Sequence, residues 1–557
     1  MSISEFEVVP VDRSLSYEPA TDETPILEVT IGELLRVAAE DAGDRWALVA
    51  GAYAGEEQRR RWTYRELLTD AERVARALAR RYEPGTRVAV WAPNVPEWQL
   101  LQLGSAMAGT ILVTVNPALK GDEVAYVLDQ SGSSAVFLTA EHRGASLRAI
   151  LDAAIPKVPS LMDVIEFESG WDDFITSGDD NSIPLPDVQP RDAAKILYTS
   201  GTTGAPKGAV LHHTGMVTNA KFDADAIELG PEDRWVNPMP MFHCGGSVIA
   251  ALGCITARAC HVLPVGFDAG LVLELLDQER ATVLSAVPTM LLGLREHPRY
   301  ADHDLQSLRA IVSGGSKVPG SLVREIEADL GVRVSNTYGQ TEASPVITQT
   351  RISDDAQDRA ETVGRPHPHT EVQIVDPVSQ QPVPRGELGE LCTRGYLLMQ
   401  GYHEMEEVTA ATIDKDGWLH TGDLCTMDER GYVSVEGRLR DMIIRGGENI
   451  YPREIEEVLR THSKVADCAV VGVPDEKWGE VVAAVVRPVS EASDEESTVE
   501  ELRAFLEERI AHFKVPTRWE FLEQFPLTPS GKIQKFVLRD LLSDIGANSP
   551  TERHSAR

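Results

Sequence analysis

Hydroxyls, glycines and isolated charges gather in a few short stretches of this sequence. From Tyr198 to His213 it reads YTSGTTGAPKGAVLHH, a strand-like AAKILY running into a loop of hydroxyl residues and glycines with a single lysine. Such a loop can aim backbone N–H groups, hydroxyls and an ammonium at a polyphosphate. It is not a Walker loop, because Lys207 is followed by Gly208 and the glycine spacing differs. After a strand-like GVRVSN comes NTYGQTEAS, Asn336 to Ser344, where a tyrosine face suits a nucleobase, Thr341 offers a hydroxyl and Glu342 a hard oxygen ligand for phosphate-bound Mg2+. GWLHTGD ends at Asp423, which can accept from ribose hydroxyls, and EGRLRDMIIRGGENIYPREIEE starts at Glu436 and brings Arg438 toward the same sugar and phosphate. In PLTPSGKIQK, Lys532 follows a Pro-Ser-Gly turn and can bridge a substrate carboxylate and an α-phosphate. Taken singly these are a surface loop, a turn, solvated charges and a surface lysine. Their weight lies in their joint presence.

The elements that must hold these residues alternate helix and strand. A helix is expected around Ile31 to Asp41, then another across WTYRELLTDAERVARALARR, closing at Gly85. Strands follow at RVAVWAPN, ILVTVNP, SAVFLTA, ATVLSAVP and LRAIVSGGS, which predicts α/β layers with largely parallel sheets. From about 360 to 437 the texture becomes short strands between Gly and Pro turns, HTEVQIVDP, GELGELCTRG and GYVSVEGR. Beyond it, DMIIRGG, PREIEEVLRTH, DCAVVGVP and VEELRAFLEERI alternate as an α+β module. The expected organisation is an α/β protein. A large N-terminal part, 1–437, holds layered α/β subdomains and a β-rich subdomain; a small mobile α+β C-terminal domain, 438–557, follows a hinge near 440 and ends in a disordered tail from about 545.

Bulk composition narrows the function. A chain of 557 residues exceeds the roughly 250 to 300 that one core supports, so several packed units share it. The net charge of −34 argues against nucleic acid and anionic membranes as partners. It also makes the few cations in glycine-rich loops the groups that must meet an anionic substrate. Six cysteines with no C-x-x-C read as reduced thiols. An acidic N-terminus and no apolar run of roughly 18 residues predict a soluble, cytoplasmic protein without membrane insertion.

In this order, spread over nearly the whole chain, these stretches resemble the motif set of the adenylate-forming superfamily: acyl-CoA synthetases, firefly luciferases and peptide-synthetase adenylation domains. The pattern is nearest to fatty-acid or related acyl-CoA ligases. The resemblance implies that Thr199, Ser200, Gly201, Thr202, Thr203, Gly204 and Lys207 cradle the β- and γ-phosphates. Gly314, Gly315 and Ser316, with Asn336, Thr337, Tyr338 and Gly339, would form the adenine and acyl-proximal wall. Thr341 would meet the α-phosphate, Glu342 the Mg2+, Asp423 and Arg438 the ribose, and Lys532 would be the lysine needed for adenylation. Arg440 occupies the family's hinge position, about which the C-terminal domain exchanges Lys532 for the turn Arg445-Gly446-Gly447-Glu448, which lines a pantetheine tunnel. His243, in MPMFHCGGSV, falls at the gate of the acyl pocket.

Peptide-synthetase domains carry an Asp in that last stretch to pair an amino acid's ammonium. None stands here, which disfavours amino-acid substrates. Small residues (Gly245, Gly246, Ser247, Ala250, Ala251) and VIAALGCI suit a roomy apolar pocket for a fatty, aryl or polycyclic acid, or equally a plain core helix. The expected function is ATP- and Mg2+-dependent formation of an acyl-adenylate, followed by transfer to coenzyme A. Two rivals remain open: delivery to a carrier protein's phosphopantetheine in trans, and an inactive nucleotide-binding regulator, the latter weakened because Lys207, Glu342, Asp423, Arg438 and Lys532 are all present. The family pattern also admits a homodimer.

Overall fold

A computed structural model describes residues 13–51, 59–199, 206–315, 318–445, 448–475, 477–489, 495–527 and 533–548. The protein is mixed α/β and divides into two compact units. The first comprises Met1–Gln373, Cys392–Thr421 and Met427–Ser434, the second Ile374–Leu391, Gly422–Thr426 and Val435–Arg557.

Two large sheets carry the first unit. In the seven-stranded sheet Arg87–Trp91 lies between Ile111–Val115 and Ala135–Leu138, all parallel, and Ala193–Thr199 runs parallel beside Ile111–Val115. The direction then reverses. Lys207–His212 pairs antiparallel with Ala193–Thr199, and the two-residue strand Gly401–Tyr402 pairs antiparallel with Lys207–His212. Strands such as VAVW and AVFL are buried throughout, as continuous apolar strands covered on both faces must be. In the nine-stranded sheet Ala310–Gly314 runs parallel to Arg333–Gly339, which turns back antiparallel into Val346–Gln349.

One helix differs from the expected span. WT belongs to the strand Arg60–Thr63, and the helix runs Tyr64–Ala79 behind a capping box of Thr63 and Glu66. It ends at Ala79, capped by Arg80, rather than at Gly85; Pro84 could not continue a helix, and Gly85 takes φ +83° in the turn before the next strand. The next helix, Pro96–Ala108, is buried on nearly every side and carries Gln99 and Gln102 into the core. Its end at Gly109, φ +68°, is a left-handed cap that glycine takes without strain.

Tyr17–Glu18, Thr370–Val375, Gly389–Gly395, Leu419–Met427 and Val433–Arg438 form a five-stranded sheet in that order, the β-rich texture read from the sequence. In the second unit, Val465–Asp475 and Gly479–Pro488 make a long antiparallel hairpin, with Arg518–Phe521 parallel to its second strand. Alternation along the hairpin feeds two cores. Cys468, Val470, Val482 and Ala484 pack with Ile455, Leu459, Leu502 and Leu506, while Ala469, Val471, Val481 and Ala483 pack with Leu538 and Leu542. Among the described residues no helix is long and apolar enough to cross a membrane.

Candidate functional site

The hairpin of Ala193–Thr199 and Lys207–His212 sets Thr199 directly opposite Lys207, so these two residues bracket the loop between them. The neighbouring short strand pairs Tyr402 with Ala209, one step past Gly208. That pairing lays the Lys207 ammonium 5.2 Å from the centre of the Tyr402 ring. The Tyr402 hydroxyl donates to Glu342 Oε1 at 2.7 Å. Glu342 sits in the 3-10 turn Thr341–Ala343 that follows Arg333–Gly339, is 8% exposed, and its backbone carbonyl accepts from Met399 N at 2.8 Å. Burial and the adjoining carboxylate both push the Tyr402 phenol up, so it stays a donor. A lysine and a glutamate from segments far apart in the chain thus meet through one tyrosine. Tyr402 was not singled out in the sequence, since GYHEM carries no motif.

A second group lines the ends of two parallel strands. Ser313 pairs with Asn336 and Gly314 with Thr337. A Cβ on Gly314 would lie 2.2 Å from Thr337 Oγ1 and 2.6 Å from its carbonyl oxygen, and one on Gly339 would lie 1.9 Å from Pro345 O, so both positions require glycine. Asn336 donates through Nδ2 to the Arg359 carbonyl at 2.6 Å, which leaves Oδ1 as a buried acceptor with no partner among the described residues. Tyr338 follows on the strand Arg333–Gly339, paired with Thr348, and Gly315, with φ +76°, follows the end of Ala310–Gly314.

The second unit holds a group of its own. Arg438 Nε lies 3.1 Å from Asp423 Oδ1, the aspartate side chain being 10% exposed. Arg440, in the 3-10 turn Leu439–Asp441, lies 3.6 Å from Asp441; burial and then Arg438 hold its guanidinium below the usual arginine range.

His243 lies in the first unit ahead of a π-helical turn, Gly245–Ala250, that continues as the α-helix Ala251–Ala257. Its backbone N–H donates to Pro240 O and its carbonyl accepts from Gly246 and Ser247. Of the small residues read as a pocket, Ala250 and Ala251 pack into hydrophobic cores. Ser200, Gly201, Thr202, Thr203, Gly204, Ser316, Gly446, Gly447 and Lys532 lie outside the described residues.

The donor sets fit a magnesium nucleotide. Glu342 offers a second carboxylate oxygen beside a fixed cation, the donor type a hard divalent ion takes. The Asn336 acceptor suits an exocyclic amino group.

Known proteins match this arrangement along most of the chain. YngI of Bacillus subtilis (strain 168), whose name assigns it to the acyl-CoA synthetases, is 40% identical over 92% of this chain and 97% of its own. The human medium-chain acyl-CoA ligase ACSF2, mitochondrial, is 35% identical over 94% and 89%. The crystal structure of ATP-bound MatB from Rhodopseudomonas palustris superposes with a TM-score of 0.84 at 30% identity, covering 93% of this chain and 100% of that one. The family model for AMP-binding enzymes matches residues 35–403 and that for their C-terminal domain residues 454–532, and the chain belongs to the AMP-binding enzymes, the adenylate-forming superfamily.

Proposed function

We propose that this protein is an AMP-forming acid–thiol ligase that activates a hydrophobic carboxylic acid with ATP and passes the acyl group to coenzyme A. The observation that carries the reading is the junction of Lys207, Tyr402 and Glu342 at the foot of the loop that Thr199 and Lys207 bracket.

In the first half-reaction a carboxylate oxygen attacks the α-phosphorus, the bond to the β-phosphate oxygen breaks, and pyrophosphate leaves. Lys207, with Thr199 and the loop residues Ser200 to Gly204, holds the β- and γ-phosphates. Glu342 and Thr341 act at the α-phosphate side, and Tyr402 fixes the glutamate's rotamer by occupying one of its oxygens. Glu342 would hold a magnesium ion, which would supply neutralisation of charge on the leaving phosphates. Asn336, Thr337 and Tyr338, behind Gly314 and Gly315, receive the adenine, Asp423 and Arg438 the ribose. Lys532 stabilises the charge that develops between carboxylate and phosphate. In the second half-reaction a thiolate sulfur attacks the acyl carbon and AMP leaves. The C-terminal domain turns about Arg440 between the two, withdrawing Lys532 and presenting the Arg445-Gly446-Gly447-Glu448 turn. His243 stands where the acid enters. Six buried free cysteines support a reducing compartment such as the cytoplasm as its setting.

The test is mass-spectrometric detection of products from a carboxylic-acid panel with ATP and Mg2+, with and without coenzyme A. Acyl-AMP without coenzyme A and acyl-CoA with it are expected. Acyl-AMP alone in both arms would transfer the reading to a carrier-protein acceptor, and neither product from any acid would overturn it.

A further inference from the structure

Lys195 lies mid-strand in Ala193–Thr199 and is 1% exposed, an unfavourable place for an ammonium, since burial strips its water. Its Nζ donates to Gln102 Oε1 at 2.7 Å and lies 5.6 Å from the centre of the Trp98 ring, both on the helix Pro96–Ala108. Gln102 Nε2 donates onward to the Ser247 carbonyl at 3.0 Å, and Ser247 Oγ donates to the His243 carbonyl at 3.1 Å. Ser247 is inside the π-helical turn Gly245–Ala250, a rare backbone form that collects at functional sites. The segment leading into the turn is held from beneath in the same manner. Asn94 donates to Met239 O at 3.0 Å and accepts from Met241 N at 2.8 Å, and Thr114 Oγ1 donates to Phe242 O at 3.0 Å.

An ammonium has donors and no acceptor, so Gln102 must turn its oxygen to Lys195 and its NH2 to Ser247. Were the residue at 195 apolar, Gln102 Oε1 would be left a buried acceptor without its donor, and the amide would lose the anchor that holds its NH2 against the Ser247 carbonyl. We infer that Lys195 is a positioning residue for the acid-binding side of the site: by anchoring the oxygen end of the Gln102 amide, whose NH2 meets Ser247, it locks the π-helical turn that follows His243 and Cys244. The inference rests on the function proposed above for its kinetic consequence and on geometry alone for its structural one.

The buried charge carries a pH signature, while the neutral amine that remains above pH 7 still donates to Gln102. Burial lowers the Lys195 pKa to about 7, and the titratable group facing it, Cys244, has its thiol pushed up to about 12 by burial, so that neighbour stays neutral. The folded pKa lies below the unfolded value of 10.5, so between pH 7 and 10.5 the unfolded chain holds the proton that the folded protein gives up. Stability therefore rises with pH across that window, and the cost of the buried charge is fully present below pH 7.

Lys195→Met keeps the side chain's length and removes the ammonium. We expect hydrogen exchange at the amides of residues 239–247 to quicken by ~10-fold while the pair Ala310–Gly314 and Arg333–Gly339 exchanges as before. The acid KM should rise by ~10-fold with the ATP KM within ~2-fold of wild type. The melting temperature near pH 6 should be no lower than wild type's, and its rise from pH 7 to 9 should vanish. Gln102→Leu should do the same to exchange and acid KM, and the double variant no more than either alone. Unchanged exchange over 239–247, acid and ATP KM rising together, or additive effects of the two substitutions would overturn the proposal. If wild type releases no pyrophosphate with any acid, the proposed function falls while the exchange measurement still decides the role of Lys195.

Discussion

Tyr402 ties Lys207 to Glu342, and its loss should show in the chemistry more than in the fold. Tyr402→Phe keeps the ring under Lys207 and deletes one hydrogen bond to a carboxylate, an interaction of about 1.5–3 kcal/mol. We expect kcat/KM for acid-dependent pyrophosphate exchange to fall by ~10- to 100-fold, with a weaker dependence on Mg2+ concentration. Exchange at wild-type rate would remove Tyr402 from the site. Lys207, Glu342, Asp423 and Arg438 could be proposed from the sequence because each stands in a short string whose chemistry is local. Tyr402 could not, because its meaning depends on the pairing of Tyr402 with Ala209 and on a partner 60 residues away, neither of which a string of residues records.

At the scale of elements, the parallel pair Ala310–Gly314 and Arg333–Gly339 is drawn together by glycine. Gly314→Ala would force a methyl against Thr337, whose backbone cannot yield without dragging its strand. A loss of about 1–3 kcal/mol in urea unfolding is expected, with a higher ATP KM because Asn336, Thr337 and Tyr338 shift together. An unchanged denaturation midpoint would show that the strands are free to separate. Most strands were legible from apolar runs, such as VAVW and AVFL, since burial on both faces leaves a plain signal. The helix after Thr63 was read too long at both ends, because its periodicity carries into WT and RR, whereas the caps at Thr63 and Arg80 set the true limits. The turn Gly245–Ala250 was invisible as a π-helix: over so few residues, apolar spacing does not separate it from an ordinary helix.

At the scale of the whole molecule, the two half-reactions proposed here ask one chain for two postures, and Arg440 is where we place the change. Arg440→Pro restricts the backbone of the 3-10 turn Leu439–Asp441. Thioester formation should fall by ~10-fold or more while adenylation, read by pyrophosphate exchange, stays within ~3-fold. Equal loss of both steps would place the hinge elsewhere. The net charge of −34 argues against nucleic acid and anionic membranes as partners, and under the function proposed above it leaves recognition of a polyanionic nucleotide to local cations such as Lys207. The cysteines have a further use. All six are buried, Cys244, Cys254, Cys260 and Cys392 in the first unit and Cys425 and Cys468 in the second. A thiol reagent in the surrounding solution therefore finds nothing to modify until a unit opens. Peptide mapping of the label would then act as a clock with two hands, timing the opening of each unit separately in a protein that needs no engineered probe.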